Sequence, residues 1–436
     1  MIKRRIKHDL FKTLIIISFI LLKLVFGQQQ QENQKQEKNS TATITTNFIR
    51  FDRINNNVKH ISRDDLLDNE NNLIYVSNDV DIKYWTSEQK QALQKEMEDL
   101  VYSSAYLEEA NENDFNYYYK SLLSDEERQY YDIFSGNVTK NPPESTVTID
   151  FNANTDNKTL FIEQNNEFSV KLYTVLIFEN PEIWWYGDYS RTIYNGKKVT
   201  SEPLSYSFPV KYNLFPEGSK FSGYTPSKVV LINKRIEEVK NRIMAEIERL
   251  NLTTDYAKLR YIHDYLVIKN VYTLEENIRH IRTLYGSLVE DRCVCEAYAE
   301  AFQYLARQYN INVISAISST HKWNFVQMTV GEEKKWYIVD VTWDDPGIAN
   351  EGHPPSGSDK NLGLQYFITG RTAYKTDKAK KSHTLVFNNY NSNYTVIEYP
   401  TIEESDYQTN DAEKNEIKVE LFKESILSLK SKSIRY

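Results

Sequence analysis

The chain is poor in cysteine: its 436 residues carry only two, Cys293 and Cys295. A bridge across so short a loop would be strained and would remove little chain entropy. This argues against a disulfide scaffold and leaves two readings, buried apolar thiols or thiol chemistry. A basic surplus is also missing. Fifty-three Lys and Arg against 61 Asp and Glu give a net charge of −8, and no basic cluster follows the first twelve residues. A surface that tracks phosphates needs such a cluster, so no nucleic-acid partner is expected. Long apolar runs are scarce as well. The run LIIISFILL, interrupted at Lys23, is shorter than the roughly 20 residues of a comfortable membrane span. No internal repeat is visible, and the 32 tyrosines are dispersed through the chain as core and surface filling.

What is present begins with a basic stretch, MIKRRIKHDLFKT, ahead of that apolar run, with Val25 and Gly27 as small residues beyond it. This order predicts a secretory signal over 1–27, with an uncleaved membrane anchor as the alternative. Sequons at Asn39, Asn137, Asn157, Asn251 and Asn393 are compatible with a secreted glycoprotein. Residues 28–47 are polar and Gln-rich, and form an expected linker. A mixed N-terminal domain is expected over 48–220, a second domain over 221–400, and a polar C-terminal tail over 401–436. In the first domain, Thr86 and Gln89 make a capping box ahead of a helical face of Leu93, Met97, Leu100 and Val101. TVTIDFNA and FSVKLYTVLIFEN read as strands. The adjacent Trp184 and Trp185 fit a packed interface better than a ligand site. Farther on, TPSKVVLINKRIEEVKNRIMAEIERL predicts a helix whose stripe is Ile232, Ile236, Val239, Ile243, Ile247 and Leu250. A second helix follows through YAKLRYIHDYLVIK, with Leu259, Ile262 and Leu266 on one face and His263 as a surface or satisfied core histidine.

The chemistry gathers between Gly286 and Pro346. SLVEDRC reads as a loop leading into CEAYAEAFQYLARQY, whose alanines favour helix. Cys295 therefore falls at or just before a helix N-terminus, where free N–H groups and the helix dipole favour a thiolate and could cradle an oxyanion. Cys293, still in the loop, is expected to be a bystander. Ile311–Ser319, His321–Met328 and KKWYIVDVTW read as three strands, the last two turning at Gly331. That hairpin would bring His321 near Asp340. A thiol, a base and a carboxylate that orients the base make a nucleophilic constellation. Spacing by itself leaves open a structural His321–Asp340 pair or zinc ligation, although a closed zinc site usually wants four ligands.

CEAYA, HKWNFV and KWYIVDVTWDDP, in that order, resemble the core of the transglutaminase-like superfamily, particularly its bacterial-type members with a CEGYA, HAWN, VDVTWDDP pattern. The likeness runs from about Leu259 to Pro346, continues through LQYFITG and His383, and has a weaker echo in FENPEIWW. It implies an α+β, papain-like fold in which a catalytic helix packs on an antiparallel sheet, preceded by the mixed α/β N-terminal region. It also implies Cys295 as nucleophile, His321 as base and Asp340 as the group that orients it. Ala297 stands where the family usually has Gly and Lys322 where it has Ala, which bears on substrate fit. Tyr285, Trp323 and Trp343 are candidate cleft residues. The expected partner is a protein or peptide substrate, attacked at an amide bond and hydrolysed in preference to cross-linked, outside the cell or tethered to a membrane. A non-catalytic surface binding or scaffold module is the alternative. No cofactor or metal is expected, because Asp344 and Asp345 alone are thin for calcium.

Overall fold

The computed structural model describes residues 49–50, 117–186, 188–201, 203–216, 221, 223–275, 278–345, 356–386 and 398–433. The expected signal, the polar linker, the helix after Thr86 and the sequons at Asn39 and Asn393 lie outside these residues. Among the described residues no helix is long and apolar enough to cross a membrane.

The described residues from 117 to 191 and from 196 to 433 belong to one compact unit. Helices α1 (Tyr118–Ser121) and α2 (Asp125–Val138) come first. The latter opens with a capping box between Ser124 and Glu127. Strand β2 (Thr146–Ala153) alternates as expected, burying Val147, Ile149 and Phe151. FSVKLYTVLIFEN, read as a strand, is instead the second half of helix α3 (Lys158–Glu179). Asn157 caps this helix by accepting from the N–H groups of Thr159 and Leu160. Leu172, Tyr173, Val175, Leu176, Ile177 and Phe178 are all buried. A helix enclosed on every side shows no 3.6-residue stripe, and a solid apolar run cannot be told from a buried strand by periodicity. A sheet of β1 (Ile49–Arg50), β3 (Asp188–Ile193), β5 (Leu204–Asn213) and β2 lies in that order, with β4 (Lys197–Ser201) also paired to β5.

Helix α4 (Pro226–Arg249) forms as predicted, with Thr225 as its cap and Pro226 at its first position. Its five isoleucine and valine stripe positions are buried, while Leu250 is its half-buried C-cap. Helix α5 (Asp255–Lys269) is buried around most of its circumference, His263 included. The stretch read as a loop after Tyr285 is a single π-helical turn, Gly286–Glu290. A Cβ at Gly286 would collide with the His280 carbonyl, so this close approach requires glycine. Short parallel strands β6 (Val271–Tyr272) and β7 (Arg292–Cys293) then lead into helix α6 (Cys295–Arg307). Strands β8 (Val313–Ile317), β9 (Lys322–Val330), β10 (Glu333–Val339) and β11 (Phe367–Thr369) form an antiparallel sheet ordered β11-β10-β9-β8. Helix α6 packs on it, and Asn324 of β9 donates to the Ala299 carbonyl at 3.1 Å. The architecture is α+β with antiparallel main sheets.

The N-terminal elements buttress that helix. Gln303 donates to the Phe178 carbonyl at 2.7 Å, Arg307 pairs with the buried Glu179 at 2.7 Å, and Ser315 donates to Gln303 at 2.9 Å. The expected polar tail also proves to be structured. After α7 (Asp377–Ser382) come α8 (Asp411–Glu416) and α9 (Val419–Ser433). Phe422, Ser425, Ile426 and Leu429 of α9 are buried at helical spacing. This narrow stripe is hidden in the polar average of the segment. Tyr261 of α5 meets Ser425 at 2.7 Å and the Phe422 ring edge-on. Phe422→Ala should therefore destabilise the protein by about 3–5 kcal/mol in urea denaturation. A loss under about 1 kcal/mol would return this segment to the status of a tail.

Candidate active site

Val294 is extended and its N–H donates to the Ile281 carbonyl at 2.9 Å, while the Cys293 carbonyl accepts from Thr273 at 3.1 Å. The chain held on both sides then turns into α6, with Cys295 as its first residue. First-turn amides lack the carbonyl four residues back that later ones bond, and here the Ala297 N–H donates to the Val294 carbonyl at 3.0 Å. Cys293 is fully buried and burial pushes its thiol up, as suits an inert core cysteine.

His321 immediately precedes β9, and its carbonyl accepts from Ser318 at 2.8 Å. In the β9–β10 hairpin Glu333 faces Val330 and Val339 faces Asn324. Extended by one position, this register sets Asp340 against Trp323, two residues from His321. The side chains meet there: His321 Nε2 lies 2.6 Å from Asp340 Oδ2. Asp340 sits just past the end of β10, not within the strand as read. Its N–H donates to the Tyr366 carbonyl at 3.0 Å, and its Oδ1 accepts from the Trp343 N–H at 3.1 Å. Cys295 is the third member, near enough to His321 for its thiol to act on the imidazole. Burial pulls His321 down, but the charge and hydrogen bond of Asp340, with Cys295 behind them, outweigh it and raise the imidazole to about 10. Burial acts upward on Asp340, and His321 and then His383 overcome it, holding the carboxyl well below its usual range.

His383 was in reach of the resemblance but had no role assigned to it. It follows α7, and its Nε2 lies 2.8 Å from the same Asp340 Oδ2, while its Nδ1 lies 2.8 Å from the Ala379 carbonyl. Its ring stacks on Tyr374 at 4.2 Å and Tyr366 at 5.8 Å, with Trp323 and Trp343 edge-on at 4.8 and 4.9 Å. Of the three cleft candidates, Trp343 is half-buried beside His321 and His383. Trp323 is buried with its ring stacked on His321 at 5.7 Å. Tyr285 is not part of this cluster. Its ring packs with Trp184 and His280, and its hydroxyl accepts from Arg235 at 3.3 Å. Half-buried Tyr272, which sequence reasoning did not single out, lies nearer the thiol instead, paired in register with Cys293. Burial and then the Cys295 charge raise its phenol. Trp184 and Trp185 are buried, and Trp184 donates to Asn233 of α4 at 2.8 Å, the packing role expected of them.

The neighbouring acids are already committed. Asp344 meets His263 at 3.2 Å and accepts from the Tyr366 N–H, and His263 also bonds Asp264 at 3.0 Å, so this histidine is a satisfied core residue. Asp345 accepts from Tyr298 at 2.7 Å and Asn361 at 2.8 Å, and burial pushes its carboxyl up to about 7. Oxygens engaged in this way are poor calcium ligands. Lys322 pairs with buried Glu300 at 3.2 Å and lies over Phe178, on the side of the helix buttress. Ile368, two residues after Tyr366, has φ of 52°. For a β-branched residue this is backbone strain of about 1–3 kcal/mol.

His321, Asp340 and His383 each offer a ligand atom within 4.8 Å of the others, a spacing that could admit a metal ion. The nitrogen–oxygen separations here are 2.6 and 2.8 Å. Ligands around tetrahedral zinc, with bonds of about 2.0–2.1 Å, stand about 3.3 Å apart. These are hydrogen bonds.

The pair makes stability depend on pH with a defined sign. Because Asp340 is depressed, its contribution is present above the ordinary carboxylate value of about 3.9 and lost in acid. Because His321 is raised, its contribution is complete below about 6.5 and is lost as pH rises toward the folded value. The stability difference between wild type and Asp340→Asn should be largest between about pH 4 and 6.5 and shrink toward pH 9. A difference constant from pH 5 to 9 in chemical denaturation would contradict this coupling.

No family model matches the chain, and no curated protein matches it. Among solved structures, one described as "Crystal structure of a TGase" is similar over 38% of this chain and 47% of that chain, with 10% identity and a TM-score of 0.22. The match thus spans about half the length of that protein, and the functional reading rests on the geometry of the site.

Proposed function

We propose that the chain is a transglutaminase-like thiol enzyme acting on amide bonds of proteins or peptides. The supporting observation is the His321–Asp340 contact at 2.6 Å, with the helix-first thiol of Cys295 near enough to act on the same imidazole. In this reading Cys295 Sγ attacks the carbonyl carbon and its proton passes to His321. The oxyanion faces the amide end of α6. The C–N bond breaks as His321 delivers the proton to the departing nitrogen, leaving an acyl-thioester. Water then attacks, gives its proton to His321 and releases the acid as the C–S bond breaks and the thiol is restored. Asp340 holds the imidazole throughout. An amine in place of water would give cross-linking. Water is the preferred acceptor because nothing in the site selects an amine. The basic and apolar leader, together with exposed sequon asparagines at 157 and 251, supports action outside the cell or from a membrane tether.

The second reading, a binding or scaffold module, is favoured by one observation: Cys295 is 3% and His321 6% exposed. Labelling separates the two. A working site predicts selective iodoacetamide alkylation of Cys295 near neutral pH, slowed in His321→Ala. Peptide-amide turnover should vanish in Cys295→Ala and fall by roughly 10²–10⁴ in His321→Ala. Turnover that survives Cys295→Ala would remove the nucleophile assignment.

A further inference from the structure

His383 stands 43 residues beyond Asp340, yet shares its carboxylate with His321. Both of its ring nitrogens face oxygen acceptors at 2.8 Å, the Ala379 carbonyl and Asp340 Oδ2. A ring nitrogen without hydrogen would point a lone pair at oxygen, so two such acceptors suit the form with hydrogen on both nitrogens. The ring is buried, and the titratable groups facing it are Asp340, His321, Tyr366 and Tyr374. If Cys295 gives its proton to His321, the cluster holds two negative groups, thiolate and carboxylate, and two positive ones, both imidazoles. Without His383 the same pocket would hold an unbalanced buried negative charge, which is costly in a low dielectric.

We infer that His383 is a positioning residue that holds the Asp340 carboxylate toward His321 and supplies the cation balancing the buried thiolate, imidazolium and carboxylate. The inference rests on the thiol-enzyme reading and adds to it a group with no contact to the reacting atoms. The carboxylate is then clamped on three sides, by His321, by His383 and by the Trp343 N–H. Charge and orientation are separable by substitution. His383→Gln keeps an N–H that can reach Asp340 but loses the charge. His383→Phe keeps a ring for the Tyr374 and Tyr366 stack and loses both the charge and the hydrogen bonds.

The test is the rate of iodoacetamide alkylation at Cys295, read by peptide mass from pH 5 to 9 on the full chain. Removing a buried positive charge makes each remaining proton in the cluster harder to remove. Both variants should therefore move the inflections of the rate profile to higher pH. The plateau should stay within about threefold in His383→Gln and fall by about 10- to 100-fold in His383→Phe, the range typical of groups that orient a site's ligands. A role in packing alone predicts lower stability with unmoved inflections, and profiles that superimpose on wild type would overturn the inference. Should His383→Phe fail to fold by circular dichroism, His383→Gln decides alone: an upward shift supports the inference and superposition rejects it. Wild-type Cys295 reacting no faster than a free thiol, or His321→Ala reacting like wild type, would overturn the thiol-enzyme reading and this inference with it. A fast wild type with unmoved His383 variants removes only the inference.

Discussion

A carboxylate buried at the end of a strand stays charged only if its surroundings replace the water it has lost. Asp340 does so through three donors: the His321 imidazole, the His383 imidazole and the Trp343 amide. Each arrives from a different stretch of chain, so the charge on one oxygen pair holds together the start of β9, the turn after β10 and the segment after α7. Its own backbone is tied to Tyr366, whose N–H is in turn held by Asp344, and Asp344 reaches His263 in the middle of α5. The site is thereby fastened to a helix that is buried along most of its length.

The thiol side is supported independently. Helix α6 is braced at its far end by α3 through Gln303 and Arg307, and at its near end by the β6–β7 pair and the glycine-dependent turn at Gly286. The elements expected to form a separate N-terminal domain therefore act on the site mechanically, by setting the helix whose first residue is Cys295. The strained backbone at Ile368 lies in β11, which begins just after Tyr366. Strain of this kind persists only where surrounding contacts over-determine it.

The candidate site is tightly enclosed. Cys295 and His321 are almost wholly covered, and aromatic rings surround the histidines. Enclosure strengthens every charge interaction within, which explains why Asp340 overcomes the effect of burial on His321. It also keeps a nucleophile away from substrate, and the scaffold reading draws on the same fact. Among the groups around this site, Trp343, Tyr374 and Tyr272 are only half-buried.

Local pattern was enough for much of this. Alanine-rich composition after Cys295, a turn at Gly331 and β-branched runs on either side are short-range signals, and they located the helix start and the hairpin within a residue or two. The stripe of α4 was legible for the same reason, since a helix with one wet face prints its period in the sequence. Where burial is complete that print is lost, so α3 passed for a strand and α9, with its thin apolar stripe, for a tail. The sequence by itself determined which residues could supply a thiol, a base and a carboxylate, and the order in which they come. That His383 joins Asp340, that Tyr285 turns to the Trp184 cluster and that Tyr272 lies nearer the thiol were decided by tertiary structure alone. These contacts join segments far apart in the chain, and no local periodicity encodes a meeting that depends on how whole elements pack.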